Sequence, residues 1–230
     1  MVRRTLRKIG LEKIHHPSFV DLLRHENIRT VLDVGANEGH YGVDLRERGF
    51  RGRIVSFEPI SAVFSKLEAR SRADALWDSY RLGVGDRDGD LSISVSVASV
   101  FSSFKAPSEY TAGKFVGAKE ERRETVPVVR LDSFLAQHPT YLDDTFLKID
   151  TQGFEKEVLI GAGEVLDRFR GVQVELPLRQ LYADQDKWIP MIEWMAGRGF
   201  SVAMAKENGF DWDTVRLLEL DVLFMRETRT

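Results

Sequence analysis

Asp33, Gly35 and Gly39 fall within VLDVGANEGHYG, residues 31–42, and Glu58 stands 23 residues beyond Gly35. An apolar run, a glycine turn and an amphipathic stretch, in that order, predict a strand, a tight turn and the free N–H groups of a helix start. Gly35 and Gly39 would let backbone approach a ligand where a Cβ would clash. The turn does not carry the G-x-G-x-x-G of dinucleotide sites, since Asn37 holds the place of the middle glycine and His40 that of the last. An acid two residues before the first glycine, Asp33, suits the cationic amino end of a methionine moiety, whereas it would repel a pyrophosphate. Glu58, at the expected end of the second strand, is spaced to accept both hydroxyls of a ribose. The pattern points to an adenosine ligand, with S-adenosylmethionine ahead of a dinucleotide.

Three further carboxylates are candidates for chemistry on an acceptor. Asp150 ends the apolar run TFLKID (145–150), Glu175 lies near the end of GVQVEL (171–176), and Glu155 opens the stretch after Asp150. In open α/β sheets the ligand crevice lies outside the carboxyl ends of the strands, so Asp150 and Glu175 should face it. Transfer of a group to a protic acceptor needs an aligned nucleophile and a group that takes its proton, and Asp150 is the first candidate for that group. Glu175 could be a base, an acceptor clamp or an inert strand-end residue. Glu155 could serve the chemistry or only complement a helix dipole. The three together could hold a divalent cation, which the spacing permits but does not require, so the metal question stays open. A lone histidine beside a glycine loop, His40, is read as a packing or capping residue.

The elements that must position these groups alternate from residue 30 onward, the pattern of an α/β domain on a mostly parallel sheet. Strands are expected at 30–35, 53–58, 79–84, 145–150 and 171–176, closed by an antiparallel pair at 200–205 and 218–225. Helices are expected near 39–48, 60–70, 132–137, from 154 and at 186–198. LSISVSV after residue 90 alternates with period two and should be a half-exposed strand. Residues 101–124 are too long and polar for an ordinary connection and are read as a lid or a disordered loop. No internal repeat or linker divides the chain. The domain reading is an N-terminal helical extension over 1–26 and one cofactor-binding domain over 27–230.

The chain has 230 residues and no cysteine, which excludes disulfides, thiolate metal sites and a cysteine nucleophile. Its net charge of −3 argues against nucleic acid as a partner. The charge is uneven: Arg3, Arg4, Arg7, Lys8 and Lys13 stand against Glu12 within residues 1–16. That segment could rest on a membrane surface, although a short helix packed on the core is preferred because its apolar face is small. No transmembrane run or secretory signal is read, and a cytoplasmic protein is expected. The oligomeric state is not legible.

VLDVGANEGHYG, SFEP (56–59), GVGDRDGDLSI (83–93), the SSF run at 102–104, VVRLDSFL (128–135) and LKIDTQGFEKEVLIGA (147–162) together resemble the FkbM-type methyltransferases. The resemblance implies S-adenosylmethionine as methyl donor and a Rossmann-like class I methyltransferase fold with a seven-stranded, mostly parallel sheet. It implies O-methylation of a hydroxyl on a sugar, glycan or natural product. It also adds Asn37, Tyr41, Pro59, Gly83, Val84 and Asp150 to the cofactor contacts, and favours Ser102, Ser103 and Phe104 as pocket residues rather than a hairpin end. One departure is Gln152, where an acid is common in the family. A nucleotide-binding module without catalysis is the alternative of a different class, and a dehydrogenase comes third.

Overall fold

A computed structural model describes residues 17–227. The basic segment 1–16, with its expected membrane or core contact, lies outside the described residues. The helices are α1 (Phe19–His25), α2 (His40–Glu47), α3 (Ser61–Ser71), α4 (Glu109–Lys114), α5 (Leu131–Gln137), α6 (Glu155–Ala162) and α7 (Trp188–Ala196). The strands are β1 (Thr30–Val34), β2 (Arg53–Phe57), β3 (Trp77–Tyr80), β4 (Gly83–Val84), β5 (Gly89–Ser96), β6 (Glu120–Val129), β7 (Thr145–Ile149), β8 (Gly171–Pro177), β9 (Phe200–Asp211) and β10 (Arg216–Arg226).

Seven strands form one sheet in the order β3-β2-β1-β7-β8-β10-β9, parallel except that β10 runs antiparallel to both of its neighbours. This is the expected Rossmann-like α/β architecture. β1 and β7 are buried at every position, as strands covered by helices on both faces must be. On one face α1, α2 and α3 seat Leu23, Leu45 and Leu67 against Val31, Ile54 and Phe146. On the other, α5, α6 and α7 bring Phe134, Val158 and Met195 against Leu32, Leu147 and Val174. Ser18 and Asp21 cap α1 reciprocally, giving two orphan amide donors a partner. α1 buries Val20 and Leu23 in the core, so this part of the expected extension is joined to the domain.

Two differences from the sequence expectation concern the region above the site. The strand read over 79–84 is interrupted: β3 ends at Tyr80 in the main sheet, and β4 pairs with β6 in a second sheet ordered β4-β6-β5. That small sheet buries Ile93, Val95, Val126 and Val128 on Ile60 and Val63 at the start of α3. Segment 101–124 is structured rather than a bare loop. Ser108 caps α4, and Tyr110 and Lys114 on that helix reach Asp211 at the end of β9. None of the described helices is long and apolar enough to cross a membrane.

Candidate functional site

The carboxyl ends of β1, β2 and β7 meet beneath the small sheet around a cavity of about 130 Å³. Its floor begins at the glycine turn. The amides of Gly35 and Ala36 both donate to the Phe57 carbonyl, 3.1 and 3.0 Å, which ties the turn to β2. Gly35 has φ +76°, and a Cβ there would lie 1.8 Å from the Asp150 carbonyl oxygen. The sequence reading assigned Gly35 to close approach by a ligand; the approach it permits is between two strand ends. Gly39, φ +85°, is the N-cap of α2, and its missing Cβ would press on Leu67 and Trp77. It packs helix against sheet and lies outside the cavity lining, a correction to its expected ligand contact.

Glu58 is 6% exposed and lines the cavity. Its Oε2 accepts from the Asn37 amide at 3.1 Å and its Oε1 from the Ile60 amide at 2.8 Å. Burial pushes its carboxyl up to about 7, against those two donors, which favour the charged form. Two carboxylate oxygens fixed by backbone, each with a lone pair to spare, can accept the hydroxyls of a diol. Ile60, Leu82, Val84, Ile93 and Phe104 supply apolar walls beside it. Pro59 and Gly83 complete that wall. Ser102 and Phe104 line the same space, and Ser103 does what the alternative reading held, pairing with Ser94 as a hairpin would.

A second cavity of about 320 Å³ adjoins the first, and Gly35, Asn37, Ser99, Val100 and Asp150 line both. Tyr41 and Lys148 line the second. The Ser99 hydroxyl donates to Asn37 Oδ1 at 3.2 Å, joining the roof to the glycine turn. His40 is exposed at this mouth. The Tyr41 hydroxyl donates to Gln173 Oε1 at 3.2 Å, and burial pushes the phenol well above its ordinary range.

Asp33 does not reach either cavity. It is fully buried in β1, where it lies opposite Lys148 of β7. The Lys148 ammonium is 2.9 Å from its Oδ1, and the Ser56 hydroxyl donates to its Oδ2 at 3.2 Å. Its charge is therefore spent inside the sheet, and the expected contact with a methionine amino group is corrected to an ion pair between strands. Lys148 also donates to the Gly35 carbonyl at 3.2 Å and stands 3.5 Å from Asp150 Oδ2. These anionic partners hold the buried ammonium charged, its proton affinity raised despite desolvation.

The three acceptor-side carboxylates separate by environment. Asp150, its side chain 39% exposed, faces both cavities. Glu155 is turned away: its Oε1 accepts from the amides of Thr151 and Gly153, each at 3.0 Å, and from the Thr151 hydroxyl at 3.2 Å. It clamps the turn that carries Asp150, which removes it from the expected catalytic set. Glu175 is buried in β8 and lines neither cavity. It accepts from Asn208 and, at 2.8 Å, from Gln152 Nε2. Burial, then the charges of Asp150, Glu219, Glu155 and Asp221, push its carboxyl well above the ordinary range. It backs the site instead of facing it. Among the described residues, no three histidine or acidic side chains are grouped to hold a metal ion.

Tyr182, Asn208, Glu219 and Asp221 were not singled out from the sequence for this site, and Gln152 was marked only as a departure from the family pattern. The alternation in LELDVLFM puts Glu219 and Asp221 on one face of β10, a signal that could have raised them. Nothing local marks Tyr182 or Asn208.

The family model described as the methyltransferase FkbM domain matches residues 33–202. Methyltransferase 1 of Beauveria bassiana is 24% identical over 185 residues, 74% of each chain. Among solved structures, a magnesium protoporphyrin IX methyltransferase from Synechocystis PCC 6803 matches with 10% identity over 98% of this chain and 95% of that one, TM-score 0.47. A 1,6-didemethyltoxoflavin-N1-methyltransferase from Burkholderia thailandensis matches with 11% identity over 98% and 84%, TM-score 0.49.

Proposed function

The chain belongs to the FkbM methyltransferase family, and we propose that it carries a methyl group from S-adenosylmethionine to a hydroxyl of a sugar, glycan or natural product. One observation carries this reading. A single cavity has a diol acceptor, Glu58, at one end and a half-buried carboxylate, Asp150, at the other. When bound, S-adenosylmethionine supplies a methyl carbon activated by its sulfonium. Glu58 accepts the ribose hydroxyls, and the walls from Ile60 to Phe104 exclude water from the purine. Asp150 accepts the proton of the acceptor hydroxyl as the new O–CH3 bond forms and the S–CH3 bond breaks. Lys148, 3.5 Å from its Oδ2, places a positive charge beside the oxygen that would receive that proton.

The neighbours methylate a macrocycle and a ring nitrogen by their names; hydroxyl chemistry is the reading preferred here because the side chain at the acceptor end is a carboxylate beside a lysine. The experiment is thermal stabilisation by S-adenosylhomocysteine, then transfer from methyl-labelled S-adenosylmethionine to a panel of glycosides and hydroxylated natural products. Stabilisation with label on oxygen is expected. Stabilisation without transfer would favour a binding module, label on nitrogen would replace the acceptor class, and a response to NAD alone would revive a dehydrogenase.

A further inference from the structure

Gln152 sits between Asp150 and Glu175, and its environment is more determined than a surface glutamine's. Its φ is +56°, in the left-handed region that non-glycine residues rarely adopt, so the turn must hold it there. The Glu155 clamp fixes the residues on either side, and the Ser103 hydroxyl donates to the Gln152 carbonyl at 2.6 Å. Both amide protons and the amide oxygen are then engaged. Its Nε2 donates to Asp150 Oδ1 at 2.9 Å and to Glu175 Oε2 at 2.8 Å, while its Oε1 accepts from the Tyr182 hydroxyl at 2.8 Å.

Chemistry forces this orientation. The Asp150 and Glu175 oxygens that face the amide are both acceptors, and two accepting oxygens call for the N–H2 end. A flipped amide would set a carbonyl against both. Tyr182, 1% exposed, secures the other end, because its phenol proton is the donor that the amide oxygen receives. The same hydroxyl lies 3.3 Å from the Phe101 carbonyl in the roof, and its single proton can serve one acceptor at a time. Both carboxylates thus share one neutral donor, and Asp150 keeps Oδ2 as the oxygen that no amide occupies.

We propose that Gln152, locked by the Tyr182 hydroxyl, is the positioning residue that aims Asp150 at the acceptor and couples it to Glu175. This rests on the methyl-transfer reading above, in which Asp150 takes the proton. The titratable groups facing this network are Lys148 and Asp150 from β7 and its turn, Glu155 from α6, Glu175 from β8, Glu219 and Asp221 from β10, Lys206 from β9, and Tyr182. Replacing the amide by a carboxylate puts a third acid against Asp150 and Glu175, and like charges at that distance retain a proton.

The test compares wild type with Gln152→Glu, Gln152→Met and Tyr182→Phe. The readouts are the side-chain amide signals of Gln152 by NMR, S-adenosylhomocysteine affinity by calorimetry, and kcat against pH with the first panel acceptor that turns over. In wild type, both Gln152 amide protons should exchange slowly, and Tyr182→Phe should speed them by about ten-fold or more while the backbone spectrum is kept. Gln152→Glu should lower kcat by about ten-fold or more and move the acidic limb of its pH profile upward, with cofactor affinity and acceptor KM held near wild type. If Gln152→Glu does not fold, Gln152→Met and Tyr182→Phe decide the matter, through the same loss of kcat and the exchange rates. Unchanged amide exchange in Tyr182→Phe, or a wild-type kcat and pH profile in the folded Gln152 variants, would overturn the assignment. A wild type that transfers to nothing in the panel would sink the function instead, and the exchange measurement would still judge the lock.

Discussion

The two ends of the cavity are built by different means. At the Glu58 end, each carboxylate oxygen is held by a backbone amide, Asn37 or Ile60, within a strand–helix–strand unit of about thirty residues. At the Asp150 end, side chains hold side chains: Gln152, Glu175, Tyr182 and Asn208 come from turns and strands far apart in the chain. Backbone donors are tolerant of what surrounds them, because every residue but proline supplies an N–H. A side-chain network depends on every member. The first end is suited to a ligand that does not vary, the second to tuning around an acceptor.

Gly35 is the joint between the two ends, and changing it should have the largest effect. Gly35→Val places a branched carbon where the Asp150 carbonyl already lies and demands φ +76° of a residue that resists it. We expect a loss of about 3–5 kcal/mol in urea denaturation, from overpacking plus left-handed strain, and not merely a folded domain that fails to bind. A Gly35→Val protein of wild-type stability would break the claim that the ends are joined through this contact.

Glu58→Ala should act on one end alone. Calorimetry should find S-adenosylhomocysteine bound about 1–3 kcal/mol more weakly, the range for lost hydrogen bonds to a charged group, with the Gln152 amide signals unmoved. Movement of those signals would merge the two ends into one network. A smaller effect follows from the Glu58 carboxyl lying near 7. Diol hydroxyls donate to the ionised form, so binding should release a proton near neutral pH, and affinity should fall as pH drops through 7. From pH 8 to 6 the loss should approach about ten-fold if only the ionised form binds. Glu58→Gln should abolish that dependence; a flat profile in wild type would mean that the diol is held elsewhere.

The contrast also explains what was legible in the sequence. Glu58 and the glycine turn were readable because strand, turn and helix follow one another, and the local order sets the geometry. Asp33 was misread because its partner is 115 residues away and only the β1–β7 register makes them neighbours. Lys148 held a clue, since a cation in a strand buried at every position must meet an acid on a strand beside it. Glu155 has the right residue type at a helix start, and no spacing reveals that its carboxylate turns back to the amides of Thr151 and Gly153. The small sheet was half legible: its alternation could be seen in LSISVSV, but not that β4 would leave the main sheet to pair with β6. Helix α4 carried its own signal in Ser108, which was passed over within a stretch read as polar loop.

The most direct test of the account is Asp150→Asn, which keeps the shape of the side chain and removes its capacity to take a proton. With the acceptor found by the panel, kcat should fall by about 10²–10⁴, while S-adenosylhomocysteine affinity, governed by the Glu58 end, stays near wild type. Wild-type turnover in the folded variant would contradict the account and leave the acceptor end without its base.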